Sequence, residues 1–246
     1  MAIHDLKSER LYVDAPLQSG GTVVLGEDQA HYLVNVLRLP AGSRLLVFNG
    51  RDGEWQAELT GVKKRSASLS IALKTRDQVS GPDIDYVFAP LKRSRLDYMV
   101  QKAVELGVAR LRPVMTQRTI AERVNLDRMR ANVIEAAEQC GILHLPEVTE
   151  PLSFDKLLST WDASRRLIFC DEAAVVKSPL EVLAAIQPQP LALLIGPEGG
   201  FDPKERAALQ ALPYVSAISL GPRIMRADTA AVAALALVNA QLGDWR

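Results

Sequence analysis

Leu191-Ala-Leu-Leu-Ile-Gly-Pro-Glu-Gly-Gly-Phe201 and, shortly after it, Ile218-Ser-Leu-Gly-Pro-Arg-Ile-Met-Arg-Ala-Asp-Thr229 decide the fold. In each stretch an apolar run stops at a Gly-Pro pair, and a helix signal follows. Two strand–loop–helix units in tandem open their loops at the carboxyl end of a parallel sheet. That end is where α/β proteins bind small molecules. The loops fit no common nucleotide fingerprint. Gly196, Gly199 and Gly200 do not make the G-x-G-x-x-G spacing, and no Gly-Lys-Ser/Thr follows. Glu198 repels phosphate and suits a cationic or neutral ligand.

Outward from these loops, strands and helices alternate back to about residue 83. Strands are expected at Tyr86–Leu91, Leu111–Met115, Arg166–Cys170, Leu191–Ile195 and Ala217–Leu220. Helices are expected at Leu96–Leu106, Leu126–Cys140, Phe154–Trp161, Pro179–Ile186, Pro203–Leu212 and Thr229–Leu242. Gly107 and Gly141 stand where helix C-caps belong, and Asp202-Pro203 with Glu205 reads as an N-terminal cap. This alternation predicts a parallel sheet with helices on both faces. The last helix is apolar nearly all round, so it is buried in a core or between two subunits.

The first 75 residues have a different pattern. Short strands are expected at Val23–Leu25, Arg44–Phe48, Glu54–Leu59 and Ser66–Leu73, with one helix around Glu27–Leu37. Asn49-Gly50 and Asp52-Gly53 mark a hairpin between two of the strands. Such strands close into a small β-barrel. The expected organisation is a barrel domain over 1–75, a linker over 76–82 and an α/β domain over 83–246.

Hydrophobic residues make up 48% of the chain, enough for buried cores in both parts. Two cysteines, Cys140 and Cys170, do not make a disulfide framework and fit a reducing compartment. The segment Met1–Arg10 is too polar for a signal peptide, and no apolar run approaches the roughly 20 residues of a membrane span. A soluble cytoplasmic protein is expected. His4, His31 and His144 lack zinc-ligand spacing, so no metal is expected. Neither cysteine has the neighbours of a nucleophile.

Net charge is zero, but it is unevenly spread. Residues 92–130 hold ten Lys and Arg against four Asp and Glu, while 131–246 hold nine against fourteen. A basic run beside an acidic half is compatible with docking a polyanion such as RNA. Lys63-Lys64-Arg65 form a second basic cluster in the barrel.

Ile195-Gly-Pro-Glu-Gly-Gly-Phe201 with Leu220-Gly-Pro-Arg-Ile-Met-Arg-Ala-Asp-Thr-Ala230 closely resembles the signature of the ribosomal RNA small subunit methyltransferase E family, which is of the SPOUT class. Lys92–Val108, Glu138-Gln-Cys-Gly141 and Val36-Leu-Arg-Leu39 match further segments, so the resemblance covers nearly the whole chain. Met225 and Asp228 stand where the family usually has Leu and Glu, and Ile142 where an Arg is common.

The resemblance implies a SPOUT-like, trefoil-knotted parallel sheet flanked by helices, preceded by a PUA-like β-barrel that binds RNA. It implies methylation of uridine N3 in 16S ribosomal RNA, with S-adenosylmethionine (SAM) as cofactor. It implies a homodimer, with rRNA or the small ribosomal subunit as partner. The expected cofactor residues are Ile195, Gly196, Pro197, Glu198, Gly199, Gly200, Leu220, Gly221, Ile224, Met225 and Arg226. Arg226 is expected either to balance the charge of a deprotonated uridine or to bind an RNA phosphate, with Glu198 or Asp228 as the candidate proton acceptors. Lys63, Lys64, Arg65, Arg93 and Arg95 are the expected RNA contacts. Two other classes stay open at this point: a non-catalytic ribosome-binding protein with a SAM-like site, and an enzyme using a different nucleotide cofactor.

Overall fold

Alternation marks one strand of the first sheet. Along Ser66-Ala-Ser-Leu-Ser-Ile71 the alanine, leucine and isoleucine are buried while the serines lie on the outer face, as a pleated strand requires. The computed structural model describes residues 8–63, 66–174 and 178–245. Contacts divide the chain into two compact units: residues up to Ser80 together with Ala137–Leu145, and Gly81–Ala136 together with Pro146 onward.

The first unit contains β1 (Arg10–Tyr12), β2 (Thr22–Val24), α1 (Glu27–His31), β3 (Arg44–Phe48), β4 (Glu54–Lys63) and β5 (Ser66–Arg76). A π-helical turn, Tyr32–Val36, extends α1. The sheet order is β1-β3-β4-β5-β2. One core takes residues from all five strands, among them Leu11, Val23, Val47, Leu59 and Leu69. The expected hairpin joins β3 and β4, which are antiparallel with Leu46 opposite Gln56. β1 has no counterpart among the expected strands: three residues are too few to show a period, and β1 is placed by its parallel pairing with β3.

Two boundaries differ from the sequence reading. Arg76, expected to open the linker, is the last residue of β5 and binds the buried Glu54. Ala137–Leu145, expected within the α/β domain, belongs to the first unit. It is held there by Arg76 Nη2 donating to the Gly141 carbonyl at 2.9 Å, Gln78 Nε2 donating to the Leu143 carbonyl at 3.0 Å, and the Tyr12 amide donating to Glu138 at 2.8 Å. Groups separated by more than 60 residues make these bonds, so no local pattern announces them.

The second unit contains β6 (Ile84–Phe88), α2 (Arg93–Glu105), β7 (Arg110–Met115), α3 (Leu126–Cys140) up to Ala136, β8 (Glu147–Val148), β9 (Leu152–Ser153), α4 (Phe154–Ser159), β10 (Arg166–Cys170), α5 (Pro179–Ala184), β11 (Leu191–Ile195), α6 (Pro203–Gln210), β12 (Val215–Ile218) and α7 (Ala227–Leu242). The main sheet is parallel throughout, in the order β12-β10-β11-β6-β7-β8. All five residues of β11 are buried, as a central strand covered on both faces must be. Register aligns the carboxyl ends of four strands: Ile195 lies opposite Phe88, Phe169 opposite Leu194, and Cys170 opposite Ile218. The loops that leave those ends form the candidate site.

β12 ends two residues earlier than expected. The Asp171 amide takes the Ile218 carbonyl as the last ladder bond, and Ser219 and Leu220 already belong to the loop. α7 starts two residues early, with the Ala230 amide bonded to the Arg226 carbonyl. α6 has the expected capping box: Asp202 accepts from the Lys204 amide, and Glu205 from the Asp202 amide.

Candidate active site

β11 delivers its chain into a closed turn. The Gly200 amide donates to the Pro197 carbonyl at 2.9 Å. Gly200 has φ +68°, and a Cβ there would run into the Glu172 carboxylate. Gly196 is needed for a different reason: a Cβ on it would lie 2.5 Å from the Phe201 ring. Phe201 is buried and meets Phe169 edge-on at 5.1 Å. The ring thus anchors the turn to the sheet. Gly199 is the least constrained of the three, with only the Arg118 side chain at ordinary contact distance. The Glu198 side chain is half-exposed and lies 3.8 Å from Arg95.

The second loop leaves β12 beside it. Ser219 is buried, and its hydroxyl accepts from the Gly221 amide at 3.2 Å. Gly221 has φ +100° and open space where a Cβ would stand. Left-handed backbone next to open space lets a ligand approach the main chain closely. A cavity of about 460 Å³ opens there, lined by Ser178, Pro179, Leu220, Gly221, Met225, Ala233 and Leu237. Its size is in the range of small-molecule pockets.

Of the expected cofactor residues, the cavity brings together Leu220, Gly221 and Met225. Ile195, Gly196, Pro197, Glu198, Gly199 and Gly200 form the neighbouring turn and are not among its lining. Ile224 is fully exposed. Four lining residues are absent from the expected set. Ala233 and Leu237 are one helical turn apart on α7, a spacing that by itself signals only burial. Ser178 and Pro179 start α5, which carries no motif.

Arg226 is exposed at the N-cap of α7, and its guanidinium pairs with no described residue. Asp228, in the first turn, accepts from the Thr229 amide at 2.8 Å. Below it lies a buried group, Tyr86, whose hydroxyl donates to Met99 Sδ at 2.8 Å. Burial, then the nearby Cys170 and Asp228, hold that hydroxyl well above its ordinary value. Burial likewise pushes the Cys170 thiol far up, so it carries no thiolate at neutral pH. Asp171 is committed to structure: it binds Arg206 Nε at 2.9 Å and Gln210 Nε2 at 3.1 Å.

The basic run over 92–130 is largely consumed within the unit. Arg110 and Arg112 pair with Asp85, Arg128 with Asp97, Arg130 with Asp127, Lys102 with Glu105, and Arg95 with Glu198. Lys92, Arg93 and Arg123 are exposed and pair with no described residue. Of the expected RNA contacts, Arg93 is therefore free and Arg95 is engaged. Lys63 is exposed at the end of β4. Lys64 and Arg65 lie outside the described residues, as does His4. No helix among the described residues is long and apolar enough to cross a membrane.

An RNA methyltransferase domain model matches residues 79–239, and an RNA methyltransferase PUA domain model matches 25–72. A ribosomal RNA small subunit methyltransferase E from Rickettsia conorii is 28% identical over 95% of this chain and 96% of its own length. Its counterpart from Synechocystis is 33% identical over 90% of this chain and 74% of its own. Among solved structures, a ribosomal RNA small subunit methyltransferase E from Neisseria gonorrhoeae, bound to S-adenosyl methionine, superposes with TM-score 0.85 at 29% identity, covering 97% of this chain and 100% of that one. A putative methyltransferase from Legionella pneumophila with bound SAM gives TM-score 0.85 at 30% identity, covering 97% and 99%.

Proposed function

The chain belongs to the ribosomal RNA small subunit methyltransferase E family, and from that premise we propose that it methylates N3 of a uridine in 16S ribosomal RNA with SAM as cofactor. The observation that carries this reading is the cavity against Gly221. It is mostly apolar, it opens on left-handed backbone, and it lies at the carboxyl ends of the parallel strands. Those features fit a flat base bound by main-chain groups in an apolar slot. SAM supplies an activated methyl group.

The rest of the chemistry falls to this chain. Leu220, Met225 and Leu237 exclude water from the slot. Gly221 exposes main-chain polar groups to it. Arg226, exposed at the N-cap of α7 next in the chain to the lining residue Met225 and paired with no described residue, balances the negative charge that develops on the uracil oxygens when N3 gives up its proton. Such a charge partner contributes through being held in place before the charge develops, here at the N-cap of α7. Asp228, in the first turn of α7, is the carboxylate left to take that proton, because Glu198 is paired with Arg95. Loss of the N3 proton would leave a uridinate anion, and a SAM held against Leu220, Gly221 and Met225 would supply a cationic methyl donor whose leaving group is a neutral thioether, so that charge would balance. N3 is a pairing atom in RNA helices, so the target uridine must be unpaired or flipped.

The same reading covers the assembly, the address and the knot. A homodimer is supported by α7, whose Ala230, Val232, Ala233, Ala236 and Leu237 stay only half-buried in one chain. The partner is 16S rRNA or the small subunit, and the site of action is the cytoplasm. The knot is proposed from membership of the family alone. Mass spectrometry of 16S rRNA nucleosides from a strain lacking the gene tests the function: 3-methyluridine should be absent, and restored by the intact gene.

A further inference from the structure

The loop after β7 lines no part of the cavity, yet it holds the turn after β11 at one point and the start of α6 at two. Thr116 is buried, and its amide donates to Thr119 Oγ1 at 2.9 Å. The two threonine hydroxyls are 2.8 Å apart, and the Thr119 amide donates to the Thr116 carbonyl at 3.1 Å. These bonds close a small turn that presents Gln117 and Arg118 outward. The Gln117 amide donates to Glu205 Oε1 at 2.8 Å, the same carboxylate that caps α6. Arg118 Nη1 donates to the Gly199 carbonyl at 2.9 Å, and its other terminal nitrogen lies 4.0 Å from Asp202.

Within the 197–200 turn, the Pro197 carbonyl and Gly200 amide already bond to each other. Arg118 takes the Gly199 carbonyl. The Gly199 carbonyl and the Gly200 amide belong to one planar peptide, so Arg118 and the Pro197 carbonyl hold that peptide from its two sides, and the turn cannot open without breaking both bonds. Gly199 needs such a restraint because only the Arg118 side chain stands beside it. Arginine suits the task, since its planar fork reaches a carbonyl and a carboxylate together.

We propose that Arg118 is a positioning residue for the cofactor: it fixes the 197–200 turn in its binding conformation through the Gly199 carbonyl without touching the cofactor itself. The inference rests on the methyltransferase reading above. An arginine this exposed has an obvious competing role as a phosphate contact. Lys92, Arg93 and Arg123 fit that role better, because none of them is committed to the loop.

The test uses the full chain with Arg118→Ala and Arg118→Lys. Calorimetry gives SAM affinity, steady-state rates with saturating rRNA give KM for SAM and kcat, and RNA binding is followed against salt. Loss of one partly exposed, charge-assisted bond should weaken SAM binding and raise its KM by roughly 5- to 10-fold. kcat at saturating SAM should stay within about twofold of wild type, since nothing touching the methyl group changes. The lysine variant should fall between, and RNA affinity should keep its salt slope. Unchanged SAM affinity in Arg118→Ala overturns the proposal. So does a salt slope lowered by about one unit with SAM binding intact, which identifies a phosphate-binding role. A wild-type chain that binds no SAM overturns the methyltransferase reading and this inference with it.

Discussion

Arg95, in the first turn of α2, stands 3.8 Å from Glu198 in the turn after β11. A residue expected to meet RNA is thereby tied to one expected to meet the cofactor. Both side chains are partly exposed, so the pair contributes no more than about 1 kcal/mol. Its consequence is for the charge each side chain presents. Glu198 does not offer a lone carboxylate to a sulfonium, and Arg95 does not offer a free cation to phosphate.

RNA affinity should therefore respond unequally to two neighbouring arginines. Arg93→Ala should flatten the log–log salt dependence of RNA binding by about one unit, the value for removing one phosphate-neutralising cation. Arg95→Ala should flatten it by much less, because Glu198 already neutralises part of its charge. Equal slopes for the two variants would show that the Arg95–Glu198 pair opens when RNA binds.

The glycines of the two loops should separate into three behaviours. Gly200→Val should lose SAM binding and also lower the melting temperature, because it combines positive φ with the Glu172 carboxylate in its path. Gly221→Val should weaken SAM binding at least roughly 10-fold at a stability cost of about 1–3 kcal/mol from backbone strain. Gly199→Ala should change SAM affinity by less than about threefold, since its φ is not positive and its only neighbour is a flexible side chain. Calorimetric titration and thermal unfolding of the three variants check this, and a Gly199→Ala protein unable to bind SAM would contradict it.

On α7, core and assembly occupy different faces. Leu235 is fully buried against the chain's own core. A Glu there should unfold the protein rather than yield a folded monomer, and Leu235→Ala should cost about 2–5 kcal/mol. Val232 and Ala236 lie one turn apart and are only half-buried. Val232→Glu or Ala236→Glu should give a folded monomer by sedimentation, against a dimeric wild type at micromolar concentration. A monomeric wild type would rule out the dimer.

Acid should destabilise the first unit through Glu54. Arg10 Nε lies 3.1 Å and Arg76 Nη2 2.5 Å from its Oε2, and the Thr75 hydroxyl is 2.9 Å from its Oε1. Burial alone would raise this carboxyl, but the bonds from Arg76, Thr75 and Arg10 hold it below its ordinary value of 4.5. A depressed carboxylate stabilises the fold fully above its unfolded value and loses that contribution as pH falls through the folded one. Urea midpoints should thus be flat from about pH 7 to about 5 and drop below about pH 4.5. Glu54→Gln should be less stable at neutral pH by about 3–5 kcal/mol, the scale for breaking a buried ion pair. Its acid decline should also be shallower. A variant with the wild-type acid profile would place the titrating group elsewhere.

Much of this architecture is legible in the sequence because local signals agree with the final fold. The edges of β10 and β11 coincide with their apolar runs, and α3 with its helical period. Asp202-Pro203 and Glu205 cap α6 as their order suggests. What stays hidden is long-range. β1 exists only through β3, and Ala137–Leu145 joins the first unit through bonds from Tyr12, Arg76 and Gln78. At the site, the paired glycine loops are visible, and so is the second loop's share of the cavity. Ser178 and Pro179 are not, because a pocket wall needs no motif. The basic run is only partly legible for a related reason: composition counts charges, whereas Asp85, Asp97 and Glu198 engage several of them by pairing.

Methyl transfer to uridine N3 at the Gly221 loop, with Arg226 balancing the uracil charge, is tested most directly by a single-turnover reaction. The protein is mixed with SAM and 16S rRNA in small subunits, quenched and read by nucleoside mass spectrometry. The wild-type chain should form 3-methyluridine. Arg226→Ala should form it roughly 100-fold more slowly, the usual scale for losing one transition-state charge partner, while binding SAM and RNA normally. A wild-type rate from Arg226→Ala would remove the charge role from that arginine, and no 3-methyluridine from the wild type, or methyl label on another atom, would contradict uridine N3 methylation itself.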